Sequence, residues 1–398
     1  MADSEGITKH HALFVTVPFQ GHFTPAANFA VKLTTRGFIV TFVTTEAFHN
    51  QRAASGAVSV DGHEVFADAR SMGMDIRSEL VTDGLPLMRK LQFAEPPIDV
   101  LISDTFNVWP STLAKKFGLP YVSFWTEPAL VFAMYYYMHL LVENGHLGSP
   151  TETRKDTIMY IPGVPSIEPT DLVSFFHSPE ASWRVLRNVG KAFEEAKGAD
   201  FVLCNTVQEL EAEVIGALQQ ERPFYAVGPI VPASGEGGAA TSLWPELDCS
   251  QWLHSMPPRS VLYISFGSIA RKQVLLHPAV GGFLTHCGWN SILESMWCGV
   301  PMLCFPVTAD QPTNRKLVVE DLRIGIDVGS IGEVTGADVS RRIDSLMGGE
   351  VGGALRKEME GAQKAVKSAV TPTGSSSKNL EQFTADLLKH LSDKKRER

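Results

Sequence analysis

Cysteine and positive charge are both scarce in this sequence, and each shortage closes off a class of protein. The five cysteines, Cys204, Cys249, Cys287, Cys298 and Cys304, form an odd set with no Cys-x-x-Cys pair. A disulfide scaffold is therefore not expected, and a reducing compartment is. Neither His277 with His286 nor any other His, Cys and Asp set has zinc-ligand spacing. Lysine and arginine number 35 against 44 acidic residues, a formal charge of −9. A nucleic-acid partner would need a basic footprint and is not expected. Long apolar runs are missing too. The longest, Pro128 to Leu141, holds three tyrosines and His139, too short and too polar for a membrane span. The polar start, Met1 to His10, has no apolar core of a signal peptide, so a cytoplasmic location is expected. No GxGxxG, no GxxxxGK[ST] and no solenoid-length repeat is found.

What is present is enough for two cores: 398 residues, 44% of them hydrophobic. Apolar runs at Ala12–Val17, Phe38–Thr44, Val100–Ser103, Tyr121–Phe124 and Phe201–Cys204 read as buried strands. Helical patterns lie between them, from Pro25 to about Arg36 and at Trp109–Phe117, Pro128–Asn144, Trp183–Lys197 and Gln208–Glu221. Such alternation predicts parallel strands with crossover helices, an α/β fold. Residues 229–258, rich in proline and glycine, read as a linker. A second series follows, with strands at Ser260–Phe266, Gly282–Thr285 and Met302–Phe305. The expected architecture is two doubly wound, Rossmann-like domains facing a cleft. Their bounds are 1–228 and 259–377, with a last helix over 378–398.

Open α/β sheets bind ligands beyond the carboxyl ends of their strands. The first strand runs into Pro18-Phe-Gln-Gly21-His22-Phe-Thr24-Pro25. Thr24 and Pro25 suit a helix start, which displays His22 at the sheet edge with a pKa suited to taking a proton. Asp104 ends another buried strand at the same edge and would orient one ring nitrogen of His22. The plainer alternatives are an idle loop histidine and an aspartate that caps the next helix. With no serine or cysteine nucleophile alongside, the pair fits activation of an external hydroxyl.

The second domain holds the most specific run, Gly281-Gly-Phe-Leu-Thr-His286-Cys-Gly288-Trp289-Asn290-Ser291-Ile-Leu-Glu294. A strand, a glycine turn and a helix start make an anion site for phosphate. His286, Asn290 and Ser291 would add donors, and Glu294 would meet a ribose diol. Ser291-x-x-Glu294 also fits a plain capping box, and Asp310-Gln311-Pro312 a second helix start.

Together these runs closely resemble the signature box of plant family 1 UDP-dependent glycosyltransferases. The likeness includes His277 through Ser291, Glu294, Gly299-Val-Pro301 and Asp310-Gln311. Outside the box it extends to Pro-x-x-Gly-His-x-x-Pro, Ser103-Asp104, Phe124-Trp125-Thr126, Phe266-Gly267-Ser268 and Gly374-Ser-Ser-Ser-Lys-Asn-Leu380. The resemblance implies the two-domain GT-B fold, with acceptor bound by the first domain and UDP-sugar by the second. The last helix would pack back on the first domain. It implies His22 as base on the acceptor hydroxyl, Asp104 as its partner, and inverting transfer as UDP leaves. Ser268, His286, Gly288, Trp289, Asn290 and Ser291 would serve the diphosphate end of the donor, and Glu294 the ribose. Asp310 and Gln311 would hold the sugar, glucose being favoured, and Thr126 would reach the sugar or the phosphate. The implied partners are a UDP-sugar and a small hydroxylated acceptor such as a flavonoid, quercetin being one example. Neither cofactor nor metal is implied, and the chain is expected to be a monomer.

The sequence departs from the family in one region. The box normally opens on Trp-x-Pro-Gln, whose tryptophan stacks on uracil, but its place here falls in the Phe266-Gly267-Ser268 motif. Only Ile269 to Gly281 separates two parallel strands, where a crossover takes about a dozen residues or more. A strand-helix-strand block is read as missing, with a smaller loss near Asp83–Pro97. The competing expectation is a catalytically impaired variant that only binds small molecules or partners.

Overall fold

Strands buried on both faces of a parallel sheet need apolar side chains at every position rather than at alternate ones. His11–Val15 (β1) meets that need, and even its histidine is buried, bonding Thr41 and the carbonyl of Pro96. The computed structural model describes residues 9–54, 65–82, 94–148, 154–177, 182–230, 248–267, 272–329, 332 and 334–396. β1 lies within a parallel sheet of seven strands. The others are Ile39–Thr45 (β2), Ile76–Val81 (β3), Val100–Asp104 (β4), Tyr121–Trp125 (β5), Phe201–Cys204 (β6) and Phe224–Ala226 (β7). Their order, β3-β2-β1-β4-β5-β6-β7, reverses direction between β1 and β4. That reversal opens a crevice at the carboxyl ends of β1 and β4.

The second sheet has four parallel strands: Val261–Ser265 (β8), Val280–Thr285 (β9), Met302–Cys304 (β10) and Gly325–Asp327 (β11). They run in sequence order with no reversal, and β8 forms one edge. The short crossover does not break this sheet. It carries one turn of helix, Lys272–Leu275, and β8 pairs directly with β9, with Tyr263 stacked on Phe283 at 5.2 Å. The cost falls on the edge, where Ile264 and Phe266 are 53% and 56% exposed. Such an apolar edge is normally covered by another strand or by charge.

The two sheets share one apolar core. Phe132, Cys204 and Val214 of the first half are continuous with Phe283, Trp289 and Met296 of the second. Polar ties add to it. Thr313 donates to the carbonyl of Asp171 at 2.7 Å, Ser174 N to that of Ala309 at 2.8 Å, and Arg315 pairs with Asp171. Of the stretch read as linker, 231–247 lies outside the described residues; its far end holds a short helix, Ser250–His254. The last helix, Ser375–Arg396, lies against β7 and completes the first sheet's core with Leu380, Phe383, Leu387 and Leu391. Among the described residues no helix is long and apolar enough to cross a membrane.

Candidate active site

The crevice at the β1–β4 reversal collects the first group of side chains. The helix after β1 starts at Gln20, more than a turn before the start expected at Thr24 and Pro25, so Pro25 lies inside it. His22 therefore occupies the first turn rather than a loop. Its Nδ1 lies 2.8 Å from Asp104 Oδ2 and 3.0 Å from Thr126 Oγ1. A carboxylate accepts only, so the Nδ1 proton faces Asp104 and Nε2 keeps its lone pair. Burial pushes the His22 pKa down, but the charges of Asp104 and Asp310 outweigh it and leave the pKa raised above 6.5.

Asp104, 1% exposed, does not cap the following helix, Pro110–Phe117, which has Trp109 at its N-cap. Its second oxygen instead accepts the backbone N–H of Phe106 at 2.9 Å, which locks the carboxylate towards His22. Thr126, expected at the sugar or the phosphate, bonds the imidazole in this structure. The neighbouring Glu127 escaped the sequence reading. Its Oε1 lies 3.8 Å from His22 Nε2, and burial together with Asp310 and Asp104 raises its pKa well above the usual carboxylate range. The ring of Phe106 meets the imidazole edge-on at 5.3 Å, Tyr135 meets Phe106 at 6.0 Å, and Phe19 stands 64% exposed beside them.

The second group lies at the start of the helix Trp289–Cys298. Gly288 is its N-cap, with no side-chain cap, so Ser291 and Glu294 do not form a capping box there. The first-turn N–H groups point outward as an anion site would need. A Cβ at Gly288 would lie 2.5 Å from Nε2 of His286, so glycine lets that imidazole pack over the turn. His286 Nδ1 is buried without a partner, and burial lowers its pKa. Ser291 is buried at the helix start, and Glu294 sits one turn in, half-buried.

Two expected donor-side residues face the first domain instead. Trp289 is buried, and its indole N–H donates to the carbonyl of Asn205 at 2.7 Å, joining the halves rather than opening to the cleft. Asn290 donates its side-chain amide to Gly21 O at 2.8 Å. Gln311 is turned inward too, its Oε1 accepting Val307 N at 2.7 Å and Thr308 N at 2.9 Å. Asp310 is buried and bonded to Asn314, and burial pushes its pKa up to about 6. Ser268 lies outside the described residues. Among those described, no group of three or more His, Cys, Asp or Glu is placed to hold a metal ion.

A family model, UDP-glucoronosyl and UDP-glucosyl transferase, matches residues 262–351, from β8 past the phosphate-type turn. Over 475 aligned positions the chain is 39% identical to UDP-glycosyltransferase 86A1 of Arabidopsis thaliana, covering 97% of this chain and 96% of that protein. The chain belongs to the plant family 1 UDP-glycosyltransferases. A second Arabidopsis relative, UDP-glycosyltransferase 86A2, is 41% identical over 98% of each chain. The structure of Medicago truncatula UGT71G1 complexed with UDP-glucose superimposes with a TM-score of 0.76 at 20% identity, covering 95% of this chain and 98% of that one. The fold is therefore GT-B. As a UDP-glycosyltransferase this chain is short inside: a 475-position alignment to a 398-residue chain leaves at least 77 positions with no residue here.

Proposed function

We propose that this glycosyltransferase moves glucose from UDP-glucose to a hydroxyl of a small aromatic acceptor, inverting the anomeric carbon. The observation that carries the reading is the His22–Asp104 pair at 2.8 Å, which leaves Nε2 as the base, with Phe106 against the ring. The acceptor hydroxyl gives its proton to Nε2 while its oxygen attacks C1, and the C1–O bond to the diphosphate breaks. Asp104 holds the ring in one tautomer and stabilises the imidazolium. The start of the Trp289–Cys298 helix, with His286, Gly288 and Ser291, would take the departing diphosphate, and Glu294 the ribose. Asp310 would meet the sugar. Asn290 and Gln311 would have to exchange their present partners for the donor. A uracil contact and Ser268 are not part of this reading. The helix dipole and these donors take the role that a metal fills elsewhere, in a cytoplasmic enzyme acting as a monomer. Aromatic rings around the base favour a flat acceptor, flavonols among them.

The test is His22→Ala. Loss of general-base catalysis costs about 100- to 10,000-fold in transfer. UDP affinity by calorimetry should change little, because the diphosphate groups lie in the other domain. An alanine variant as active as the parent chain overturns the assignment.

A further inference from the structure

His22 and Glu127 turn two hydrogen-bond acceptors towards the same space. With the Nδ1 proton facing Asp104, the imidazole offers Nε2 as a lone pair, and Glu127 Oε1 stands 3.8 Å from it. That separation is too long for a hydrogen bond between them. The other carboxyl oxygen, Oε2, is buried with no partner, while the side chain as a whole remains 14% exposed. The charges of Asp310 and Asp104 both act against a charged Glu127, and the neutral imidazole that serves as base gives it no cation. Buried polar groups are normally satisfied, so a carboxyl held here implies a guest that brings its own donors.

Hydroxyls on adjacent carbons fit that need. They stand about 2.8 Å apart, close to the spacing of hydrogen-bonded oxygens, and can address two acceptors separated a little more widely. The ring of Phe106 beside the imidazole, backed by Tyr135, suits an aromatic carrier. We propose that Glu127 is a specificity-determining residue that accepts from the second hydroxyl of a catechol-type pair while the first hydroxyl donates to His22 Nε2. The first oxygen loses its proton to Nε2 and bonds to the sugar, UDP leaves with the electron pair of the broken bond, and Glu127 ends the step in the protonation state in which it began. The inference rests on the reading of His22 as base.

The probes are 4-methylcatechol and 4-methylphenol, each with UDP-glucose, compared by kcat/KM. The parent chain should prefer the catechol by about 10- to 100-fold, the range for leaving a buried acceptor without its hydrogen bond when the second hydroxyl is absent. Glu127→Ala should bring that ratio towards one. Glu127→Gln, which keeps an accepting oxygen, should hold part of it. A merely structural role would lower both rates together and leave the ratio alone. Unchanged discrimination in Glu127→Ala, with His22→Ala inactive, overturns the assignment of Glu127 and spares that of His22. An active His22→Ala overturns both. Where Glu127→Ala fails to fold, the parent ratio and Glu127→Gln decide, and a parent ratio of one overturns the proposal.

Discussion

Asn290 and Gly21 are joined by a bond that a proline four residues away makes available. Within a helix Gly21 O would accept the N–H of residue 25, but that residue is Pro25, which has none. The orphaned carbonyl takes the Asn290 amide at 2.8 Å instead, tying the donor-side helix to the residue before His22. Diphosphate binding through Asn290 would have to release this tie, so donor binding would loosen one of the links between the two domains.

Pro25→Ala gives Gly21 O a donor within its own helix and frees the Asn290 amide. The variant should bind UDP about 5-fold tighter, the worth of roughly one net hydrogen bond. Calorimetry with UDP checks it, and an unchanged Kd counts against a role for Asn290 at the diphosphate.

Asp104→Asn removes the charge that raises the His22 pKa. Because His22 must be neutral to act as a base, transfer by the parent chain should climb with pH through a value above 6.5. In the variant that limb should move to lower pH, and its plateau should fall about 100-fold or more. Profiles of kcat/KM against pH on both chains separate the two effects.

The buried Asp310 gives the fold its own pH dependence. An unfolded aspartate loses its proton near 3.8 and the folded one near 6, so the folded chain binds the extra proton in between. Stability should therefore decline as pH rises through that window, and the raised His22 acts in the same direction at somewhat higher pH. Asp310→Asn should flatten the decline, by about 3 kcal/mol across the window. Melting temperatures of both chains from pH 4 to about pH 7 read it directly.

Restoring a strand-helix-strand segment between Phe266 and His277 should cover Ile264 and Phe266 and return an aromatic platform for uracil. Aromatic stacking on a base is worth roughly 1–3 kcal/mol, so UDP should bind about 5- to 150-fold tighter. The melting temperature should rise as well. Equal melting and equal turnover would mean that the exposed edge of β8 is harmless.

The buried strands were legible because burial on both faces leaves unbroken apolar runs, as in β1, β4 and β5. β3 was not, since Arg77 and Glu79 interrupt it at the sheet edge, and the three-residue strands β7 and β11 carry too little pattern. His22 and Asp104 stood out because each directly follows or ends such a strand. Glu127 follows a strand end with no motif of its own, and only the arrival of His22 beside it gives it meaning. The turning of Thr126 towards the imidazole and of Gln311 into its own loop depends on side-chain angles that residue order does not specify. The Asn290–Gly21 tie was hidden because Pro25 suits a helix start, where it frees no carbonyl; with the helix starting at Gln20, it does.

The Ser375–Arg396 helix bears on how the chain is made. Asn379 donates to the carbonyl of Ala226 at 2.9 Å across 153 positions of sequence, and Ser376 bonds that of Gly228. On a ribosome adding about 5–20 residues per second, the first sheet waits many seconds after β7 emerges before that helix exists to cover it. Through that interval Phe201, Leu203 and Val227, which pack in one core with Leu380, Phe383 and Leu387, lack that part of their packing. The first domain is thus synthesised early and finished late, and the second must take shape beside a neighbour whose core is still open.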